Sequence, residues 1–195
     1  MDTGIGAEAF ERMKMISRKS TPKFYTPQEA LARVGLKPEE IDIVIITHLH
    51  FDHVDQGGIY TNARIIIQKD ELEYAIDPHP SQGLFFDRKI FENLSFEVIE
   101  GDREIVPGVS VLLTPGHTNG SQSVLVETAQ GKAVISGLCT IRENFEPPEE
   151  LRKLLPILTP AIHKDPVLAY DSVIRIKEIA DVIYPLQEPG LGVAG

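Results

Sequence analysis

Apolar residues in the first half of the chain occur in short continuous runs, which is typical of strands buried on both faces. Helical signals separate these runs, among them a capping box formed by Thr26 and Glu29 with Pro27 at the first helical position. The predicted elements are a loop with one helical turn over 8–23, a helix over 26–34, a helical turn at 38–40, strands over 41–46 and Arg64–Gln68, and a helix over Lys69–Ile76.

From residue 96 onward the period changes to two, which indicates antiparallel strands joined by turns that contain glycine. The strands of this second predicted sheet lie over Phe96–Ile99, 105–106, Val109–Leu113, 123–127 and 132–136. The acidic, proline-containing segment 143–150 is predicted to be a loop. Asp165 and Pro166 then begin the clearest helix, and a last strand follows over Val182–Tyr184. The apolar face of that helix contains Val167, Tyr170, Val173, Ile174, Ile176 and Ile179.

Length and composition are ordinary for one globular domain. With 195 residues, 42% of them hydrophobic and 25% charged, the chain is expected to form a single domain over 1–195. The net charge of −10, with no basic cluster to offset it, argues against a nucleic acid or an anionic membrane as partner. One cysteine excludes an internal disulfide and fits a reducing compartment. Because we find neither a signal-peptide pattern nor a membrane-spanning run, we expect a cytoplasmic protein.

Three histidines and an aspartate follow the strand predicted over 41–46, at His48, His50, Asp52 and His53. Side chains two positions apart in an extended segment point the same way, so His48 and His50 can reach one metal ion. Asp52 keeps that phase, and a turn after it can direct His53 towards a second ion. Imidazole and carboxylate ligands suit zinc, iron or manganese. A lone histidine here would be a surface residue, but so dense a cluster after a buried strand favours a metal site.

This segment, HLHFDH, resembles the His-x-His-x-Asp-His signature of the metallo-β-lactamase superfamily, and its N-acyl-homoserine lactonase branch most of all. The resemblance continues through Val106-Pro107-Gly108-Val109, Thr114-Pro115-Gly116-His117, Gln122-Ser123 and Glu143-Asn144-Phe145-Glu146. It implies a mixed α/β fold, an αββα sandwich with a metal site along the edge between two sheets. It also implies that His117 is the third imidazole of the first metal site.

The resemblance extends to the first residues of the chain, Asp2-Thr3-Gly4. In the superfamily several strands precede such a sequence, so we expect a fold that lacks its usual N-terminal strands. Three explanations stay open: the chain is a fragment, an earlier start was missed, or a partner fills the gap. An uncovered sheet edge favours pairing with another chain, and a homo-oligomer is therefore expected. By the same resemblance Asp2 is the carboxylate beneath the metal ligands, which orients ligand histidines. A simple turn role for Asp2 with Gly4 is an equal alternative.

Two family ligands are absent from their usual places. The superfamily has a metal-bridging aspartate after the strand over 132–136; counting forward from 127–128 places Cys139 there, and counting back from 143–146 places Gly137 there. A thiolate is a good zinc ligand, although Cys139 can equally be a small buried hydrophobic residue. Gln187 stands where the family has a histidine, and an amide is a poor ligand for zinc. The carboxylate of Glu188 could substitute for that histidine, but it points away from the metal if Gln187 faces it.

These residues predict a metal-dependent hydrolase that uses one or two zinc ions, with iron or manganese as alternatives. Hydroxide formed on the metal would attack an ester, lactone, thioester or amide carbonyl of a small-molecule substrate. Asp52 would orient the nucleophile and protonate the leaving group. Two alternatives stay open: a member of the fold that keeps one metal but has lost hydrolysis, and a mononuclear iron oxygenase of the same superfamily.

Overall fold

A computed structural model describes residues 1–16 and 25–188, and the chain divides into two units. The first unit contains Met1–Ile67 and Leu72–Val98, and the second contains Gln68–Glu71 and the chain from Ile99 onward. The parts of our predictions that fall on 17–24 and on Pro189 lie outside the described residues. Within the described residues, we find no helix whose length and hydrophobicity would allow it to cross a membrane.

The first unit is built on a three-stranded sheet with the strand order β1-β2-β3. Its elements are α1 (Ala7–Ile16), α2 (Pro27–Ala32), a 3-10 helix (Pro38–Glu40), β1 (Ile43–Ile45), α3 (Phe51–Val54), a 3-10 helix (Gly57–Ile59), β2 (Arg64–Gln68), α4 (Lys69–Ile76), a 3-10 helix (Pro80–Gln82), α5 (Arg88–Phe91) and β3 (Phe96–Ile99). β1 and β2 pair in parallel, and their apolar side chains are buried except that of Ile43, which is partly buried. The predictions of both strands and of α4 are confirmed.

The helix α2 begins at the capping box that its sequence predicts. Thr26 Oγ1 accepts a hydrogen bond from Glu29 N at 3.2 Å, and Glu29 Oε2 accepts one from Thr26 N at 2.8 Å. The helix ends at Ala32, two positions before the predicted end at 34. The predicted helical turn over 38–40 is confirmed as a 3-10 helix.

Two predictions for the first unit are wrong. The loop predicted over 8–23 contains the ten-residue helix α1, because alanine, glutamate, methionine and lysine favour a helix even where apolar periodicity is weak. β3 belongs to the three-stranded sheet and not to the second sheet. Alternating polarity predicted this strand correctly, but it carries no information about the strand with which it pairs.

The second unit is built on a five-stranded sheet in sequential order, β4 to β8. Its elements are β4 (Arg103–Val106), β5 (Val109–Leu113), β6 (Gln122–Thr128), β7 (Gly131–Ile135), α6 (Arg142–Phe145), α7 (Glu149–Arg152), α8 (Pro166–Ile179) and β8 (Val182–Tyr184). Neighbouring strands are antiparallel except β7 and β8, which pair in parallel. A parallel pair needs a long crossover connection, and α8 lies in it. Val173 and Ile176 of α8 are fully buried in the core of this unit.

Two further predictions are wrong in the second unit. The loop predicted over 143–150 contains parts of the short helices α6 and α7. The Asn144 side chain accepts a hydrogen bond from Ile141 N and so caps α6. The loop was predicted from the acidic, proline-containing composition of the segment, which gives no information about this cap. On α8, Val167 is 66% exposed and does not join the apolar face, because it lies in the first turn where the helix extends beyond the core.

Candidate metal centre

The histidine motif begins after β1 and ends in α3. His48 is fully buried and His50, the residue directly before α3, is 6% exposed. Their rings meet edge to face with centroids 4.6 Å apart, and the ring of His53 lies 4.0 Å from that of His48. The motif therefore places three imidazoles side by side at the end of a buried strand.

His48, His50 and His117 form a group with metal-binding geometry. One ligand atom from each of the three lies within 4.8 Å of the other two, and all three residues are buried. Among residues 1–16 and 25–188, this is the one such group of three or more histidine, cysteine or acidic residues. It contains the two motif histidines and the third imidazole that the family resemblance implied.

Asp2 connects two of the motif histidines through hydrogen bonds. Asp2 Oδ1 accepts from Thr47 N at 2.7 Å, and Oδ2 lies 2.9 Å from both Thr47 Oγ1 and His53 Nδ1. Thr47 Oγ1 is also 3.0 Å from His48 Nδ1. Because a carboxylate only accepts, the Thr47 hydroxyl donates to Asp2 and accepts from His48 Nδ1–H. This network assigns the hydrogen of both rings to Nδ1 and the lone pair to Nε2.

His117 has the same tautomer for an independent reason. Its Nδ1 lies 2.8 Å from the carbonyl oxygen of Ile162, which can only accept, so Nδ1 carries the hydrogen. The lone pair is then on Nε2, the nitrogen with which a histidine commonly binds a metal. A second interaction with a backbone carbonyl or carboxylate is what orients metal-ligating histidines in general.

Asp52 and His53 lie outside the group of three. The extended phase that was predicted to carry Asp52 ends at His50, because α3 begins at Phe51 and Asp52 is in its first turn. His53 Nε2 lies 3.5 Å from Asp52 Oδ2, and the Asp52 side chain is 31% exposed. The two residues are thus adjacent at the motif, and their role as metal ligands stays a prediction.

The other residues considered as metal ligands in the second unit have different surroundings. Gly137 is packed so closely that an added Cβ would lie 1.8 Å from the carbonyl oxygen of Gln122. Gln187 is exposed, and the Glu188 carboxylate accepts a hydrogen bond from Arg142 N at 2.6 Å, at the start of α6. Cys139 is partly buried and is not a member of the three-histidine group. Its role as a ligand also stays a prediction.

Sequence reasoning did not single out Thr47 or Ile162. Thr47 directly precedes the motif, and a hydroxyl residue beside a ligand histidine is a signal that we could have used. Ile162 contributes only its backbone carbonyl, so its side chain carries no such signal. The aromatic residues at 85–86 contact His50: the ring of Phe85 is 5.0 Å away and that of the buried Phe86 is 4.7 Å away.

Two β-sheets with helices and a buried group of three histidines define a mixed α/β protein with a metal-binding site, as we predicted. The chain belongs to the metallo-beta-lactamase superfamily, whose sequence model matches residues 1–178. Similar proteins include the N-acyl homoserine lactonase of Bacillus thuringiensis, 38% identical over 158 residues, which are 80% of this chain and 58% of that protein. The N-acyl homoserine lactonase of Bacillus cereus is 40% identical over 76% of this chain and 55% of its own length.

Comparison with solved structures agrees with this family assignment. An N-acyl homoserine lactone hydrolase with N-hexanoyl-L-homoserine bound at its catalytic metal centre matches with a TM-score of 0.74 and 30% identity. The match covers 97% of this chain and 76% of that one. The predicted fold class is therefore confirmed. The chain spans about three-fifths of the length of the Bacillus thuringiensis lactonase.

Proposed function

We propose that this chain is a zinc-dependent hydrolase that opens the ring of a small lactone. The observation that carries this proposal is the group formed by His48, His50 and His117, whose ligand atoms lie within 4.8 Å of one another. Three neutral imidazoles that leave a fourth position open are typical of catalytic rather than structural zinc sites. The lactone class is supported by similar proteins that are N-acyl homoserine lactonases.

The donor set fits zinc in both chemistry and tautomer. His48 and His117 each direct the Nδ1 hydrogen to an oxygen acceptor, which leaves the lone pair of Nε2 as the donor. Imidazole nitrogen is a ligand that zinc accepts readily. Zinc bound there would act as a Lewis acid and lower the pKa of a coordinated water to about 7.

The remaining motif residues have separate tasks in this proposal. Asp52 is the accessible carboxylate of the motif, and it would orient the attacking water and return a proton to the leaving alkoxide. His53 is held through Nδ1 by Asp2, so its Nε2 faces Asp52 at 3.5 Å. Phe86 packs its buried ring against His50 and excludes water from that side of the ring. A second ion at Asp52 and His53, with Cys139 as a further ligand, stays a prediction.

The test compares zinc-loaded wild type with His117→Ala and, as a matched control, His79→Ala, which removes an exposed histidine. Ring opening of a panel of lactones releases a proton and is followed with a pH indicator. We expect the wild type and the His79 variant to hydrolyse at least one lactone and the His117 variant to lose that activity. Undiminished hydrolysis by the His117 variant, or none by the zinc-loaded wild type, would contradict the proposal. Our predictions of a single domain, a homo-oligomer and a cytoplasmic location remain predictions.

A further inference from the structure

A fully buried carboxylate lies in the first turn of α4. Glu71 has 0% of its surface exposed, and its Oε2 accepts a hydrogen bond from Gly120 N at 3.0 Å. Glutamate is rarely buried to this extent unless hydrogen bonds compensate for the lost water. Gly120 follows His117 by three positions, so this buried acid binds the backbone of the turn that carries a proposed metal ligand.

The turn from Thr114 to Ser121 is closed at its base by hydrogen bonds. Thr114 N donates to the Ser121 carbonyl at 2.9 Å, and Ser121 Oγ donates back to the Thr114 carbonyl at 2.7 Å. Gly116 N donates to the Thr118 carbonyl at 2.9 Å, so His117 lies at the centre of a small loop. The position of this loop within the unit then depends on the residues outside it that contact it.

One end of the turn is held by α8 and the segment before it. Asp165 N donates to the Gly116 carbonyl at 3.0 Å, and Ser172 Oγ donates to the Pro115 carbonyl at 2.7 Å. The His117 ring adds its own bond to Ile162. The segment before α8 also contacts Asn119, whose side-chain oxygen accepts a hydrogen bond from Lys164 Nζ. None of these contacts involves Gly120 itself.

The other end is held by α4. An added Cβ at Gly120 would lie 2.4 Å from Glu71 N, so the backbones of the helix and the turn approach as closely as glycine permits. The carboxylate of Glu71 then satisfies the buried Gly120 N–H, which would otherwise lose its partner. The length of the Glu71 side chain therefore sets the position of this end of the turn, because a shorter side chain at the same backbone position cannot make the hydrogen bond to Gly120 N.

We propose that Glu71 is a positioning residue for the metal centre, which fixes His117 through the backbone of Gly120. The inference rests on the proposed function, because it assumes that His117 binds zinc. Outer residues that orient metal ligands typically change metal affinity by about 10- to 100-fold when they are replaced. Because the Glu71 oxygen accepts a hydrogen bond from a backbone N–H, we expect zinc affinity to depend more on the length of this side chain than on its charge.

The experiment separates length from charge with two conservative variants. Glu71→Gln keeps the length and an acceptor oxygen, whereas Glu71→Asp keeps the charge but withdraws the carboxylate by one methylene group. Glu73→Asp makes the same change on an exposed residue of α4, and Val134→Ala lowers stability in the core of the second unit without touching the turn. Zinc affinity is measured by competition with a chromophoric chelator, and ligand geometry by the visible spectrum of the cobalt-substituted protein.

We expect Glu71→Asp to weaken zinc binding by about tenfold and to change the cobalt spectrum. Glu71→Gln, Glu73→Asp and Val134→Ala should bind zinc as the wild type does. Equal affinity of the Glu71→Asp variant and the wild type would overturn the inference, as would equal losses in Glu71→Asp and Val134→Ala. A wild type that binds no zinc would instead overturn the proposed function, and the inference with it.

Discussion

Asp2 Oδ2 lies 2.9 Å from His53 Nδ1, although 51 positions separate the two residues. The same oxygen lies 2.9 Å from the Thr47 hydroxyl, which in turn contacts His48 Nδ1. One carboxylate therefore assigns the tautomer of two motif histidines, directly for His53 and through a hydroxyl for His48. Asp2 also has a positive φ of 30°, a region in which aspartate and asparagine are more frequent than most residues.

We predict that Asp2→Asn weakens zinc binding by about tenfold. Asparagine tolerates the same backbone conformation, but its amide has one acceptor oxygen and an NH₂ group in place of two acceptor oxygens. It therefore cannot accept from Thr47 N at one end and from Thr47 Oγ1 and His53 Nδ1 at the other, as Asp2 does. The measurement is chelator competition, with Asp42→Asn as a control on an exposed aspartate of the same unit. Identical zinc affinity of the Asp2 and Asp42 variants would show that the Asp2 network does not support the metal centre.

Gly116→Ala should destabilise the protein by about 2 kcal/mol or more. Gly116 has a φ of 121°, and an added Cβ would lie 2.2 Å from Ala169 N, a backbone atom that cannot rotate away. Urea unfolding measures the change, and Gly58→Ala is the matched control because a Cβ there meets nothing within 4 Å. If the two variants lose the same stability, the tight packing of the turn against α8 does not require glycine at position 116.

Gly137→Asp should destabilise the protein rather than supply the bridging aspartate that the family resemblance leads one to expect. The Cβ would lie 1.8 Å from the Gln122 carbonyl oxygen, so the backbone has to move before any carboxylate can be placed. We expect a loss of about 2 kcal/mol or more in urea unfolding. Gly83→Asp, where the Cβ meets only an ordinary contact at 3.5 Å, is the control. A stable Gly137→Asp variant that binds an additional zinc ion would contradict this account.

Tyr60 should make stability fall at alkaline pH. Burial raises the pKa of its phenol above the ordinary value of 10.0, because the charged form is poorly solvated in the core. A folded-state pKa above the unfolded value means that this contribution is complete below about pH 10 and is lost as the pH rises through the folded-state pKa.

The measurement for Tyr60 is urea unfolding at pH 8, 10 and 11. The wild type should lose more stability over this range than Tyr60→Phe, which has no phenol to ionise. Tyr184→Phe removes the hydroxyl of an exposed tyrosine and should follow the wild type. Parallel pH profiles for the wild type and Tyr60→Phe would contradict the assignment.

Local sequence signals were sufficient where the structure depends on neighbouring residues. The boundaries of β2 and α4 agree with the prediction, since a continuous apolar run gives way at Lys69 to a helical pattern. The convergence of His48 and His50 was predictable for a similar reason, because side chains two positions apart in an extended segment point the same way. His117 required the family resemblance, since no local rule connects it to the motif.

Long-range pairing was not predictable from the sequence. The sheet to which β3 belongs depends on β2, and the bond between Glu71 and Gly120 joins residues 49 positions apart. The Ile162 carbonyl that orients His117 is a backbone group common to every residue. The prediction of an extended phase at Asp52 failed because a local rule was applied too far. The alternation of an extended segment was assumed to include Asp52, but the chain becomes helical at Phe51, where α3 begins.

The central claim is that His48, His50 and His117 bind one zinc ion together. X-ray absorption at the zinc edge, on protein loaded with one equivalent of zinc, tests this directly by counting the imidazole ligands. We predict three histidine nitrogens at about 2.0–2.1 Å in the wild type and fewer in His117→Ala. A wild-type spectrum without histidine nitrogen ligands, or one that His117→Ala leaves unchanged, would contradict the claim.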